Sequence, residues 1–188
     1  MRVLGISGSL RRGSYNTQVL REAARLLPAD VELTLFDGLK EVPPYDEDDD
    51  VQPAPAAVAR LRDAIAGADA VLFSTPEYNS SLPGQLKNAV DWASRPRATS
   101  VLRNKPVAVV GASTGAFGAV WAQAELRKVL GSAGARLVEG DVAFGHAPTR
   151  FDENGNLLDE NLREQLAEVV ANLVAASRER ERFLATAA

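Results

Sequence analysis

Four side chains able to donate hydrogen bonds to an anion, Ser9, Arg11, Ser14 and Asn16, fall within the short stretch Gly8-Ser9-Leu10-Arg11-Arg12-Gly13-Ser14-Tyr15-Asn16. That stretch lies between the apolar run Val3 to Ile6 and a segment with helical spacing, Val19, Leu20, Ala23 and Leu27. A strand-to-helix loop of this kind suits a terminal phosphate. The helix N-terminus offers unpaired backbone N–H groups and a positive dipole end, and an arginine adds a charge-assisted contact. Gly8 and Gly13 let the backbone turn tightly. The pattern is not Gly-x-Gly-x-x-Gly, no acidic residue ends the second strand in a ribose-binding position, and Gly-Lys-Ser/Thr is missing. Both a Rossmann dinucleotide site and a triphosphate P-loop are therefore disfavoured. Taken alone, Ser14 or Asn16 also reads as a helix cap.

A second strand-to-helix stretch, Pro76-Glu77-Tyr78-Asn79-Ser80-Ser81-Leu82-Pro83-Gly84, is stiffened by its two prolines and suits a flat ring. Ser80 or Ser81 is expected to cap the helix that carries Leu86, Val90 and Trp92. Glu77 reads as solvated and Tyr78 as partly core. A third stretch, Ser113-Thr114-Gly115-Ala116-Phe117-Gly118, follows the fourth apolar run. Here Gly111-Ala112-Ser113-Thr114-Gly115 matches the Gly-x-Ser-x-Gly nucleophile elbow, with Asp141 and the only histidine, His146, following in hydrolase order. Asp141 and His146 are too close in sequence to line up well with Ser113, and no oxyanion segment is present. A serine hydrolase using Ser113 stands as an alternative reading, and His146 alone reads as a solvent-facing loop residue.

The elements that position these loops follow from periodicity. Strands are expected at Val3 to Ile6, Val31 to Phe36, Ala70 to Thr75, Val107 to Val110 and Arg136 to Val142, and their near-continuous apolar content suits burial on both faces. Helical spacing also recurs at Val58, Leu61 and Ile65, at Leu126 to Leu130, and at Leu162, Leu166, Val169 and Leu173. Five β-α repeats imply right-handed crossovers and a three-layer α/β sandwich. Its five-stranded parallel sheet takes the flavodoxin-like order 2-1-3-4-5, with helices on both faces. In such a sheet the first and third strands adjoin, and their loops share the crevice at the switch point.

The 188 residues read as one domain, 1–188, with a C-terminal helix and tail from about 160. With 21 Lys and Arg against 25 Asp and Glu the net charge is −4, and no basic run is interleaved with aromatics, so nucleic acid is a poor partner. The lack of cysteine excludes disulfides, thiolate catalysis and Cys-ligated metals, so any redox chemistry needs a bound cofactor. No signal-peptide core or membrane-length apolar segment appears, which makes the cytoplasm the default location. The acidic run Asp46 to Asp50 reads as a solvated loop, because calcium loops need spaced ligands and a turn glycine. The sign-alternating tail Arg178 to Arg182 is expected to extend a helix into solvent or meet a partner subunit.

Gly8-Ser9-Leu10-Arg11 with Ser14 and Asn16, followed by Pro76-Glu77-Tyr78-Asn79 and Pro83-Gly84-Gln85-Leu86-Lys87-Asn88-Ala89, resembles the NADPH-dependent FMN reductase family, which includes quinone, chromate and azo-dye reductases. The resemblance spans nearly the whole chain up to the fifth strand. It implies FMN as bound cofactor, NADPH or NADH as co-substrate, and a small-molecule electron acceptor reduced in a ping-pong cycle. It also implies a homodimer or homotetramer. Under it, Ser9, Arg11, Ser14, Tyr15, Asn16 and Thr17 belong to the phosphate end. Pro76, Glu77, Tyr78 and Asn79 flank the isoalloxazine ring, and Ser113, Thr114 and Gly115 approach its pyrimidine edge. No catalytic acid or base is needed. The helix after the third loop would add about 0.3–1 kcal/mol of field stabilisation for negative charge on the reduced ring. A flavodoxin phosphate loop resembles Thr-Gly-x-Thr-Gly-Asn, so Arg11 favours the reductase branch over a non-catalytic electron carrier. Nothing in the sequence decides the nicotinamide preference. Arg95, Arg97 and Arg103 read as surface charges, and are also the residues available to a 2′-phosphate.

Overall fold

The computed structural model describes residues 1–187. Strands β1 (Arg2–Ser7), β2 (Glu32–Leu35), β3 (Ala70–Thr75) and β4 (Pro106–Ala112) alternate with helices α1 (Tyr15–Leu26), α2 (Ala56–Gly67), α3 (Gly84–Ala93) and α4 (Val120–Ser132). Two short strands, β5 (Arg136–Leu137) and β6 (Ala143–Phe144), then precede the long helix α5 (Glu160–Ala187). All pairings are parallel, in the expected order β2-β1-β3-β4-β5, with β6 also on β4. Strand alternation divides the core. Leu4, Ile6, Val71, Phe73, Val107 and Val109 pack under α2, α3 and α4. Val3, Ala70, Leu72, Ala108 and Val110 pack under α1 and α5. Each face is closed by helices, which is why the central strands tolerate no polar face. No helix among the described residues is long and apolar enough to cross a membrane.

The expected fifth strand, Arg136 to Val142, is interrupted. β5 pairs with Pro106 and Val107, β6 pairs with Gly111 and Ala112, and the residues between them leave the ladder. The Arg127 guanidinium fills the gap, donating to Val109 O at 2.9 Å, to Val138 O at 3.1 Å and to Gly140 O. An arginine side chain thus satisfies carbonyls that a continuous strand would have bonded. Gly140, at φ +119°, makes the turn that breaks the strand.

In the acidic run Asp46 to Asp49 are exposed, as expected, and only Asp50 departs from that reading. Asp46 accepts from the Asp48 N–H at 3.0 Å and starts a short helical turn. Asp50 forms a 2.8 Å ion pair with Arg62 in which both side chains are only 12% exposed. Arg62 also donates to Trp92 O, and Trp92 Nε1 donates to Pro43 O at 2.8 Å, so the segment is clamped to α3. A desolvated guanidinium needs such a partner, so Asp50 serves the fold. In the tail, Arg178 pairs with Asp30 and Arg136 with Glu179, fastening α5 to the body up to that point.

Asn16 departs from its expected role as an anion donor. It is buried in the first turn of α1, where its Nδ2 donates to Ala112 O at 3.0 Å. Its Oδ1 accepts from Ser74 Oγ at 2.8 Å and from Ala112 N at 3.0 Å. One amide therefore joins α1 to the ends of β3 and β4. Asn16→Leu should destabilise the fold by about 2–4 kcal/mol, because it strands buried polar groups on both strand ends. A urea-unfolding loss below about 1 kcal/mol would disprove that role.

Lys105, buried at the foot of β4, donates its Nζ to Ala68 O and, at 3.4 Å, to Ala66 O just past and within the end of α2. Burial, reinforced by the charge of Arg180 and opposed by Asp69, pushes its ammonium down to about 8. Between pH 8 and the ordinary lysine value of 10.5 the unfolded chain binds more protons than the folded one. Stability conferred by this site therefore rises with pH across that window. Relative to Lys105→Met, the parent protein should gain on the order of 1–3 kcal/mol on going from pH 8 to 10.5, read from paired denaturation curves. A pH-independent difference between the two proteins would count against the burial effect.

Candidate functional site

The three loops found in the sequence emerge at the same end of the sheet, from β1, β3 and β4. Gly8 N donates to Ser74 O at 2.8 Å, tying the first loop to β3. A Cβ at Gly8 would lie 2.7 Å from a Leu86 methyl and 3.2 Å from Pro76, so only glycine lets the first and second loops approach this closely. A cavity of about 290 Å³ opens where they meet, lined by Gly8, Leu10, Arg11, Tyr78, Pro83, Gly84 and Gln85.

At the α1 end, Ser14 is the N-cap and accepts from Thr17 N at 3.4 Å. Thr17 Oγ1 donates to Ser7 Oγ at 3.2 Å, and Ser9 N donates to the same oxygen at 3.4 Å. Arg11 donates to Gly13 O at 3.1 Å, and its guanidinium lies 6.0 Å from the centre of the Tyr15 ring. Tyr15 in turn stacks on Phe151 at 6.0 Å, and Phe151 on Phe144 at 6.2 Å. Ser9, Arg11, Ser14, Tyr15 and Thr17 are thus brought together, with Tyr15 steadying the arginine. The first N–H groups of α1 remain available to an anion, as at any helix start.

The second loop is a tight turn. Tyr78 and Ser81 exchange backbone hydrogen bonds of 3.0 and 3.2 Å, and Asn79 and Ser80 have φ of 54° and 59°. Two consecutive positive φ values define a type I′ turn, which suits Asn79; holding Ser80 there costs roughly 1–2 kcal/mol. Pro76 is buried, whereas Tyr78 is 51% exposed, so the tyrosine is a surface feature of the cavity and not core. Ser81 does not cap α3. It donates to a Glu125 carboxylate oxygen that also accepts from Leu82 N at 3.4 Å, and the N-cap of α3 is Pro83, which offers no side-chain cap.

Glu77 is likewise not merely solvated. Its carboxylate accepts from Trp121 N and Ala122 N, both at 3.1 Å, and so caps α4. That contact overturns the expected field of α4 on a ring, because a carboxylate already sits on its positive end. Glu77 and Glu125 together staple the second loop to α4 in both directions. Neither the Glu125 contact nor the exposed Phe117 and Trp121, paired edge to face at 5.1 Å, carries a sequence signal. The Glu125 contact joins residues 44 apart in the chain, whereas Phe117 and Trp121 are neighbours at the start of α4.

In the third loop, Ser113 N donates to Phe144 O at 3.2 Å, while Thr114 and Gly115 are exposed. Gly145 packs so closely that a Cβ there would lie 2.0 Å from Ala116 O. The hydrolase triad does not assemble. Ser113 Oγ faces Gly115 O at 3.4 Å, Asp141 pairs with Arg127 at 2.9 Å, and His146 is exposed in a left-handed turn. Asp141 is drawn to the guanidinium that fills the broken strand and is unavailable to orient a base. No cluster of three or more metal-ligating side chains occurs among the described residues.

Residues 1–149 match the NADPH-dependent FMN reductase family. An NAD(P)H-dependent FMN reductase of Pseudomonas aeruginosa is 47% identical over 165 residues, covering 87% of this chain and 88% of that protein. A 2-hydroxy-1,4-benzoquinone reductase of Burkholderia sp is 38% identical over 181 residues, with 96% and 98% covered. Among solved structures, a flavoenzyme NAD(P)H:(acceptor) oxidoreductase from Paracoccus denitrificans superposes with a TM-score of 0.85 at 35% identity, over 95% of this chain and 97% of that one. With the loops that carried the resemblance now placed at one end of one sheet, the chain belongs to the NADPH-dependent FMN reductase family and is an oxidoreductase.

Proposed function

We propose that the chain binds FMN across the β1, β3 and β4 loops and uses NADPH or NADH to reduce a quinone or another small electron acceptor. The observation that carries this reading is the convergence of an anion-binding helix start and a rigid turn on one cavity. The donor set fits the cofactor's phosphate. Ser9, Arg11, Ser14 and Thr17 lie about the start of α1, and Arg11 lines the cavity. The other end fits a flat ring, since the Tyr78 to Ser81 turn presents backbone edges from a fixed frame and Gly8 holds the first loop against it. Once bound, FMN supplies the hydride chemistry between nicotinamide and acceptor.

This chain's residues bind and orient. Arg11 neutralises phosphate charge, Glu77 and Glu125 hold the ring loop against α4, and Tyr78, Phe117 and Trp121 border the open side with apolar surface. Because one open side serves both nicotinamide and acceptor, the two exclude each other, which is the basis for ping-pong kinetics and for chromate and azo compounds as further acceptors. The same exposed apolar border supports assembly as a homodimer or homotetramer.

Purified protein supplied with FMN is expected to show a flavin spectrum that NADPH or NADH bleaches without oxygen. Arg11→Ala should raise the Kd for FMN by about tenfold or more, the worth of one charged hydrogen bond, while its unfolding curve stays within about 0.5 kcal/mol of the parent. Colourless protein that cannot be reconstituted, or an unaltered Kd in the variant, would overturn the corresponding assignment.

A further inference from the structure

Between β6 and α5 the chain forms a strap, Arg150 to Asp159, that lies beyond residues 1–149 of the family match and reaches the start of α1. It is a small hairpin bridged at Phe151 and Leu157. Asp152 N donates to Asn156 O at 3.0 Å and Leu158 N to Arg150 O at 2.8 Å. At the tip the Asp152 carboxylate accepts from Asn154 N at 2.9 Å and from Asn156 N at 2.8 Å. Both ends are tied down. Arg150 donates to Gly145 O at 3.2 Å and pairs with Asp159 at 2.7 Å. Arg163 of α5 donates to Leu157 O and pairs at 3.0 Å with Glu22, which is buried on α1. The strap is therefore fixed relative to α1, with Phe151 and Leu157 turned into the core.

Phe151 is where the strap meets the phosphate end of the site. Its ring stacks on Phe144 of β6 at 6.2 Å and on Tyr15 at 6.0 Å, with interplanar angles of 29° and 26°. The Arg11 guanidinium in turn lies 6.0 Å from the centre of the Tyr15 ring. Phe144 and Phe151 are buried, Tyr15 is half-buried and Arg11 is exposed. The contacts thus run outward from the core and end on the arginine that lines the cavity. An exposed arginine loses side-chain freedom when an anion fixes it, and a ring that already restrains it reduces that loss. The ring can do so only if it is itself held. Long side chains on a helix lean over the preceding turn, and Tyr15, as the first residue of α1, has no such turn to rest on. Phe151 supplies that surface. Building on the FMN reading, we propose that Phe151 is a positioning residue for the cofactor's phosphate: it sets Tyr15, Tyr15 holds Arg11, and the strap thereby governs how strongly the protein distinguishes FMN from riboflavin.

The test titrates the full chain, freed of flavin, with FMN and with riboflavin, and reads binding from the quenching of flavin fluorescence. Phe151→Leu, which keeps an apolar side chain in the core, should raise the Kd for FMN about two- to fivefold, the range of one exposed cation–ring contact, and leave the Kd for riboflavin unchanged. That increase should vanish in an Arg11→Ala background, where the group through which Phe151 acts is gone. A purely structural role would weaken both flavins alike and would persist without Arg11. Tyr15→Leu, at the half-buried end of the stack, carries the same expectation and replaces Phe151→Leu should that variant fold poorly. Equal losses for the two flavins, an unaltered Kd for FMN, or a loss that survives in the Arg11→Ala background would overturn the proposal. Failure of the phosphate assignment itself looks different: the parent protein then binds FMN and riboflavin equally, or Arg11→Ala alone leaves the Kd for FMN unaltered, and the role of Phe151 falls with it.

Discussion

The site depends on a single buried amide. Loops at the carboxyl ends of parallel strands have no ladder to hold them in relation to one another, because each strand's hydrogen bonding ends where its loop begins. In this fold the side chain of Asn16 replaces the missing ladder. It accepts from Ser74 Oγ and Ala112 N and donates to Ala112 O, so the start of α1 is set against β3 and β4. A buried amide in an apolar surround is unfavourable unless each group is matched, and Asn16 finds partners on two neighbouring strand ends. The position of every α1 donor follows from this contact, including the cap Ser14 and the hydroxyl of Thr17.

Carboxylates perform the same service at the other end of the cavity. Glu77 reaches from the β3 loop to the N–H groups of Trp121 and Ala122, and Glu125 reaches back from α4 to Ser81 and Leu82. These acids are spent on framing and have no proton-transfer partner in the site. The arrangement suits redox chemistry in which a cofactor reacts and the protein positions it. It also explains why the turn at Asn79 and Ser80 keeps two positive φ values: the strain is local, while both of its flanks are bonded to α4.

What could be read from the sequence divides along the range of the interactions involved. Strand order, the two helical layers and the paired loops were legible because apolar periodicity and strand-to-helix alternation are local signals with a strong topological consequence. The break in the fifth strand was not, since Arg127 acts from a helix across the sheet edge on Val109, Val138 and Gly140. Asp50 was misread for the same reason: its partner Arg62 is twelve residues away in a helix, and a run of acids looks solvated until a buried guanidinium is set against one of them. Asn16 carried two sequence meanings, a helix cap and a donor of the anion loop, and its side chain serves neither. Only the proximity of Ala112, 96 residues later, shows that its side chain faces inward. The residues at the loops were found; the direction of their side chains depended on long-range packing.

This distribution of polar groups bears on acceptor choice. The side chains of Asn16, Glu77, Ser81 and Glu125 are committed to the scaffold, and what borders the open side is Tyr78, Phe117 and Trp121, at 51%, 63% and 49% exposure. A surface of that kind discriminates by size and flatness. Apolar contacts separate close analogues by only about 1–3 kcal/mol, whereas buried donors and acceptors aimed at a particular substrate reject its analogues far more strongly. With its hydrogen-bonding capacity turned inward, the protein defines the cofactor's place sharply and the acceptor's loosely.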